Sequence, residues 1–414
     1  MRLINKGKPV RMKHRNYDIA IVGSGIVGAA TALALAKHTS LKIAVLEVKS
    51  PALSWQADQL EQRVSAIAPS SKRIFEKLNV WSGIAGRRIS PYQGMQVWDA
   101  AGKGELNFSA QALGEEVLGY IIEDNVIRMS LLEEFNNCNN LDFLFPLTIQ
   151  SWQENSDHLL LTTDEQTIQT KLLIAADGAE SWVRQQAAIE LKSWDYQHTA
   201  LVMTVRTELP HHGVARQRFL STGPLAFLPL SEPHRSSLVW SVTPDYATHL
   251  LSLDDKAFSA TLGEAFDNKL GAIISVTSRQ SFPLRMRHAK QYVQNRIALI
   301  GDAAHTVHPL AGQGVNMGLL DATTLADVII AAHHKQRDVG SLATLRRYER
   351  WRKGDTLAML ATVEALKHLF ASQAKPVQYL RNAGLAMTNQ LPWLKDFIAS
   401  YALGKRSDLP SLAQ

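Results

Sequence analysis

Three clusters of glycines and acidic residues carry the chemistry that can be read from this chain. The first is Gly23-Ser24-Gly25-Ile26-Val27-Gly28. Gly23 permits a tight turn, Gly25 lets the backbone come within contact distance of a pyrophosphate, and Gly28 lets a helix pack close on a strand, with the phosphates at the positive helix end. Glu47 lies nineteen positions past Gly28 and ends a second apolar run. Its carboxylate can accept bonds from a ribose 2′- and 3′-hydroxyl pair and would repel a 2′-phosphate. The second cluster is Asp177-Gly178, delivered by Leu172-Leu173-Ile174-Ala175-Ala176 and followed by Ser181 and Arg184. Alone this is a turn, but an Asp at a strand end in such a sheet points into the crevice where ligands bind. The third is Gly301-Asp302-Ala303-Ala304-His305, followed by His308, Pro309, Gly312, Gly314 and Asn316. A helix opening near Gly314 behind a glycine-rich loop is suited to stabilise negative charge, such as that of a reduced flavin ring. His305 and His308 read either as acid–base groups or as loop histidines bonded to backbone. No second GxGxxG follows a strand, so a nicotinamide donor would have no binding unit of its own and should visit and leave.

The elements that must position these clusters follow from periodicity. Residues 17–22 and 41–46 predict strands and residues 29–37 a helix between them; residues 50–62 are loop, and residues 70–78 predict a helix after Arg63-Val64-Ser65-Ala66-Ile67. Arg63 is placed to meet a phosphate or a ring edge, or else is a surface residue. Strands are expected over residues 91–99 and 106–108, and a helix over residues 124–135, where Val126, Ile127, Leu131, Leu132 and Phe135 form a stripe and Arg128 lies off it, as a solvated residue would. Short strand patterns (residues 200–206, 226–230 and 237–242) and a helix near residues 257–266 describe an inserted antiparallel sheet, a lid over a bound ring. A strand over residues 296–300, a helix over residues 314–332 and a helical stretch over residues 342–403 complete the chain. The expected organisation is a basic leader (1–15), a discontinuous dinucleotide-binding unit (16–80, 105–190 and 285–340), a substrate unit (81–104 and 191–284) and a C-terminal helical region (341–414).

Composition bounds the partners. The chain has 414 residues, 46% hydrophobic and 20% charged, ordinary globular material for two or three compact units. Its one cysteine, Cys138, can form neither an internal disulfide nor a CxxC metal site, which points to a reducing cytosol and no metal. The net charge of +6 is accounted for by Arg2, Lys6, Lys8, Arg11, Lys13 and Arg15, leaving the rest neutral. A nucleic-acid footprint would need a basic face on the fold, so none is expected. The leader reads as disordered, with Met12 as an alternative start, or as a tether to a membrane surface. No apolar run reaches the roughly 18 to 20 residues of a spanning segment. Apolar stretches carrying Trp393, Phe397 and Tyr401 would suit a membrane or partner contact, or packing onto the main body.

With three signatures in this order, the chain resembles the FAD-dependent aromatic hydroxylases typified by para-hydroxybenzoate hydroxylase, over nearly its whole length. Within them it is most similar to the ubiquinone-biosynthesis hydroxylases, through Arg63-Val64-Ser65-Ala66-Ile67, Gly119-Tyr120-Ile121-Ile122-Glu123, Ala226-Phe227-Leu228-Pro229-Leu230 and Gly301-Asp302-Ala303-Ala304-His305 through His308-Pro309-Leu310-Ala311-Gly312-Gln313-Gly314. The resemblance implies an α/β fold, α+β overall: a Rossmann-like FAD-binding domain with an inserted antiparallel-sheet substrate domain and C-terminal helices. It implies FAD held by Gly23, Gly25, Gly28, Glu47, Arg63 and Arg128, Asp177 serving both FAD and transient NAD(P)H, Asp302 on the flavin's sugar hydroxyls, and Pro309, Gly312, Gly314 and Asn316 against the isoalloxazine. It further implies O2 as co-substrate, activated as a flavin C4a-hydroperoxide, and a polyprenylated phenol or quinol as the acceptor, hydroxylated at C5 or, in the alternative, at C6 of a demethoxy-quinol. No residue identifies itself as the phenol-activating group; His305, His308 and Arg218 are candidates. A peripheral membrane contact, a biosynthetic complex and an oligomer are expected partners. A flavin-dependent reductase and a non-catalytic flavoprotein scaffold would share the first signature.

Overall fold

The structure, a computed structural model, describes residues 13–51, 54–57, 60–306, 314–372, 374–391, 395–396, 399–400, 403–405 and 408–414. The strand Lys13–Val22 lies at the centre of an eight-stranded sheet, pairing in parallel with Ile43–Leu46 on one side and Gln166–Ala175 on the other. Leu141–Leu144 and Ile297–Leu299 extend the parallel set outward. Both faces of these strands are covered, so their sequences are apolar runs and not alternating ones: Ile19 to Ile21, Ile43 to Val45 and Leu172 to Ala175 are all 0% exposed. The central strand begins at Lys13, so Lys13, His14 and Arg15 belong to the sheet and not to the leader, and residues 1–12 of that leader lie outside the described residues.

Two helices cover one face of the cofactor sheet. Ile26–His38 is lined with buried alanines, which let it approach the strands closely, and Gly314–His334 packs along it. The second helix has the length and apolar composition of a membrane span, yet 72% of its apolar window is buried inside the protein, as expected of a core helix.

The inserted sheet has nine strands, in the order His305–Thr306, Gln280–Ala289, Leu191–Thr207, Arg235–Val242, Gly223–Pro229, Val214–Leu220, Gly94–Asp99 and Glu105–Ser109, with Ile273–Val276 branching from Leu191–Thr207. It is antiparallel except where Val214–Leu220 meets Gly94–Asp99 in parallel. The hairpin of Gly94–Asp99 and Glu105–Ser109 lies wholly in this sheet, which carries the substrate unit past the boundary expected at residue 104. A further three-stranded sheet joins Val64–Ile67, Gly119–Glu123 and Ser90–Tyr92.

Period-two alternation gives the nine-stranded sheet two apolar faces. The outer one, with Leu201, Leu225, Phe227, Leu238 and Trp240, packs under Phe258 and Phe266 of the helical excursion that follows Arg235–Val242. The inner one is met by the long helix Leu342–Ala371 through Leu360, Val363 and Phe370. The next helix, Lys375–Gln390, is fastened to the sheet by a buried ion pair, Arg381 Nε to Asp99 Oδ2 at 2.6 Å with Nη2 to Oδ1 at 3.0 Å, and Arg381 also donates to the carbonyls of Leu369 and Phe370. One guanidinium thus closes the end of one helix and anchors the next to the sheet. Breaking a buried pair strands a charge, so Asp99→Ala should cost about 3 to 5 kcal/mol. Urea unfolding should show this, with Asp99→Leu/Arg381→Met in combination costing less than either single change.

Candidate active site

The first glycine turn is held by backbone contact. Gly23 has φ +101°, and a Cβ there would lie 2.4 Å from the carbonyl oxygen of Ala176, while one on Gly28 would lie 2.1 Å from that of Gly23. No side chain fits at either place, so the turn, the helix and the Asp177 strand are locked together. Gly25 differs: nothing lies within 4 Å of a Cβ built on it, so the backbone at the positive end of Ile26–His38 opens to the front of the sheet.

Around that opening the structure gathers most of the expected residues. Glu47 Oε2 accepts from the amide of Ser24 at 3.0 Å and from its hydroxyl at 2.6 Å. Burial alone would raise the Glu47 carboxyl, but the bonds from Ser24 and Lys49 and the charge of Arg128 outweigh it and hold it below its ordinary value. Arg128, which its helical spacing would leave free in solvent, is half-buried and bonded to the turn: Nε donates to the Ser24 carbonyl at 3.1 Å and Nη2 to the Ser24 hydroxyl at 2.9 Å, 3.6 Å from Glu47. Position off the apolar stripe of Asp124–Glu134 is what frees it to reach the turn.

Arg63 is 79% exposed, with Nε 2.8 Å from Asp124 Oδ2. Burial raises the carboxyls of both Asp124 and Asp302; Arg63 pulls each back down, and the charge of Asp302 raises Asp124 further, so the three stand near one another. Asp302 is crowded by protein and yet keeps accessible surface, as a group lining a concavity does. Asp177 Oδ2 accepts from the amide of Val183 at 3.1 Å, while its Oδ1 is buried with no partner among the described residues. An orphaned buried carboxylate oxygen at a strand end, an open helix terminus at Gly25 and an accessible Asp302 together fit a dinucleotide laid across the sheet edge.

Other expected residues fall elsewhere. Asn316 is consumed as a brace: Oδ1 accepts from the Ala68 amide and the Ser71 hydroxyl, and Nδ2 donates to the Ala66 carbonyl, tying Gly314–His334 to the first turn of Pro69–Lys77. Gly314 opens that helix with nothing within 4 Å of a Cβ built on it. His308, Pro309 and Gly312 lie outside the described residues. Of the candidates for acid–base work, Arg218 lies on the outer face of the inserted sheet, 2.8 Å from Asp267 and bonded to the carbonyls of Glu264 and Ala265. His305 is 2% exposed and faces the core, with Nε2 2.6 Å from Asp321 Oδ2.

Asp321, which the sequence reading missed, is the hub beneath the third signature. Its Oδ2 also accepts from the Gly301 amide at 3.1 Å, and its Oδ1 accepts from Arg352 Nε at 2.8 Å. Its own sequence held the signal: a lone carboxylate in the apolar run Gly318-Leu319-Leu320-Asp321-Ala322 must find partners. Burial would raise this carboxyl; His305 and Arg352 outweigh it and hold it below its ordinary 3.8.

The profile of the FAD binding domain family matches residues 16–357. The mitochondrial ubiquinone biosynthesis monooxygenase of Xenopus tropicalis is 36% identical over 435 residues, covering 93% of each chain. The 3-demethoxyubiquinol 3-hydroxylase of Escherichia coli is 34% identical, covering 95% of this chain and 100% of its own length. This chain belongs to the ubiquinone hydroxylase family. The ubiquinone hydroxylase of Rhodospirillum rubrum is 35% identical over 94% of this chain and 89% of its own length. Among solved structures, p-nitrophenol 4-monooxygenase from Pseudomonas putida superposes with a TM-score of 0.75 at 19% identity, covering 95% of this chain and 100% of its own, a likeness of fold. As an FAD-dependent monooxygenase, the family member uses a flavin whose bound form supplies electron transfer from NAD(P)H and oxygen activation for hydroxylating an aromatic ring.

Two outcomes follow. Arg128→Met removes two bonds to the glycine turn and should weaken FAD binding about tenfold, read by quenching of flavin fluorescence on titration; an unchanged affinity contradicts the placement of Arg128 at the cofactor. Because the folded Asp321 carboxyl is depressed, its contribution to stability is present above about 3.8 and is lost as pH falls through the lower folded value. His305→Ala lifts that folded value, so the acid-unfolding midpoint should move to higher pH.

Proposed function

We propose that this monooxygenase hydroxylates the ring of a polyprenylated phenol in ubiquinone biosynthesis, at C5, with NAD(P)H and O2. The observation that carries the proposal is one of geometry. The open backbone at Gly25, the unpartnered oxygen of Asp177 and the accessible Asp302 lie at one edge of the cofactor sheet, and the strand His305–Thr306 just past Asp302 joins a second sheet whose inner face is apolar and packed by the helix Leu342–Ala371. Such a face suits a planar, electron-rich ring with an isoprenoid tail and excludes water around it. In this reading Gly23, Gly25, Gly28, Glu47, Arg63, Arg128 and Asp302 hold FAD. Asp177 serves FAD and the visiting nicotinamide, its unpartnered oxygen being the support for that second role. The two sheets act as cofactor and substrate units.

A second reading, hydroxylation at C6 of a demethoxy-quinol intermediate, is favoured by the likeness to the E. coli 3-demethoxyubiquinol 3-hydroxylase. Either acceptor dissolves in lipid. A peripheral membrane contact is supported by the side chains exposed on the C-terminal helices, Leu366, Leu369, Tyr379, Leu380 and Met387. Mass spectrometry of quinone precursors in cells lacking the chain separates the readings. A polyprenylphenol without the C5 oxygen is the precursor expected to accumulate; a demethoxy-quinone supports the second reading, and an unchanged quinone pool contradicts both.

A further inference from the structure

The inner face of the nine-stranded sheet can be followed residue by residue across its strands. Val97 is opposite Gln217, Gln217 is opposite Ala226, Ala226 is opposite Val239, and Val239 is opposite Val202. Directly opposed residues share a face. This face is the inner one, because Val97 packs with Phe219, Val363 and Phe370 at one end of the row and Val202 and Val239 pack with Leu360 at the other. Four of the five residues are apolar. Gln217 is the exception.

Gln217 is 8% exposed, and its side chain makes no hydrogen bond among the described residues. Its neighbours along the strand are fully engaged: Arg216 Nε donates to Gln96 Oε1 at 3.2 Å and Arg218 pairs with Asp267, both away from the inner face. Alternation turns Gln217 to the opposite side from both arginines, where no protein group answers it. The residue is nearly buried, yet its amide atoms keep accessible surface, as groups lining a concavity do. An amide open to a concavity and answered by no protein group is free to bond a ligand. Ala226, beside it, is the smallest side chain of the row and leaves room above the sheet for a flat ring. In the next row on the same face, Ser237 is 1% exposed with a hydroxyl that is also buried and unpartnered, opposite Thr204 and Leu228. Two unanswered polar groups one row apart on a largely apolar surface mark a place for a ring bearing more than one oxygen.

We propose that Gln217 orients the substrate ring by hydrogen-bonding one of its phenol or quinol oxygens while the ring lies over Ala226 and Val239. The assignment rests on the function proposed above and deepens it. An amide can donate from Nε2 and accept at Oε1, so it serves a phenol hydroxyl or a quinol oxygen alike. By fixing where that oxygen lies, it fixes which ring carbon is turned to the cofactor, and so is a specificity-determining residue. A lost bond here frees the ring to rotate and leaves FAD untouched.

The test compares FAD-loaded wild-type enzyme with Gln217→Met, which keeps length and removes both bonding ends. The probe is 2-farnesylphenol, followed by perturbation of the flavin absorbance on titration, by KM, and by the share of NAD(P)H oxidised to hydrogen peroxide without product. Loss of one hydrogen bond predicts a dissociation constant and KM raised about tenfold, a larger peroxide share, and FAD affinity and thermal midpoint unchanged. If Gln217→Met does not fold, Gln217→Leu is read instead, with the same rise expected because it too removes both bonding ends. Wild-type KM and coupling in the variant overturn the role of Gln217 and leave the proposed function standing. If the wild-type enzyme neither changes its flavin spectrum nor forms product with 2-farnesylphenol, the proposed function fails for this substrate, and this assignment fails with it.

Discussion

Everything at the cofactor site depends on a backbone contact too close for any side chain. With a Cβ on Gly28 falling 2.1 Å from the Gly23 carbonyl oxygen, and one on Gly23 falling 2.4 Å from that of Ala176, two hydrogen atoms stand where methyl groups would force strand and helix apart. That approach aims the amides at the start of Ile26–His38 past Gly25 and brings the Asp177 strand end beside them. The neighbouring polar contacts then share a single hinge, Ser24, whose amide and hydroxyl reach Glu47 and whose carbonyl and hydroxyl receive Arg128. A cation and an anion are thereby fixed on either side of the turn before any ligand arrives, which is preorganisation at little further entropic cost.

The second half of the site is set by ion pairs that have left water. Asp321 draws together the Gly301 turn, His305 and the helix Leu342–Ala371 through Arg352, so Asp302 is placed by a carboxylate nineteen positions along the chain that is itself wholly buried. Asp99 and Arg381 do the same for the far end of the inserted sheet and the helix Lys375–Gln390. Such pairs add little net stability over apolar packing. What they add here is register: each demands one partner in one position, and each joins a C-terminal helix to the unit that it roofs.

What was legible in the sequence was local. The strand, glycine turn and helix of residues 13–38, the Asp177 turn and the Gly301-Asp302 strand end are each specified by neighbours within a few positions, and each is found where spacing put it. Arg128 was misjudged because helical spacing says which side chains leave the apolar stripe, not what the stripe's neighbour will be. His305 was read against backbone, whereas its partner is a carboxylate from the next helix. Arg218 and Gln217 are adjacent in sequence and opposite in role for a similar reason: alternation shows that they face apart, and only the pairing of Val214–Leu220 with its neighbours says which of them looks inward. The boundary expected at residue 104 falls between the two strands of the hairpin Gly94–Asp99 and Glu105–Ser109, and that this hairpin joins the inserted sheet is set by its pairing with Val214–Leu220, more than a hundred positions away, which carries no local signal.

The account turns on FAD lying along the first glycine turn with its sugar chain near Asp302. The direct measurement is the flavin content of the purified chain after incubation with FAD and removal of excess, read by visible absorbance. One tightly held FAD per chain is predicted; a colourless protein that returns all of the FAD would contradict the account.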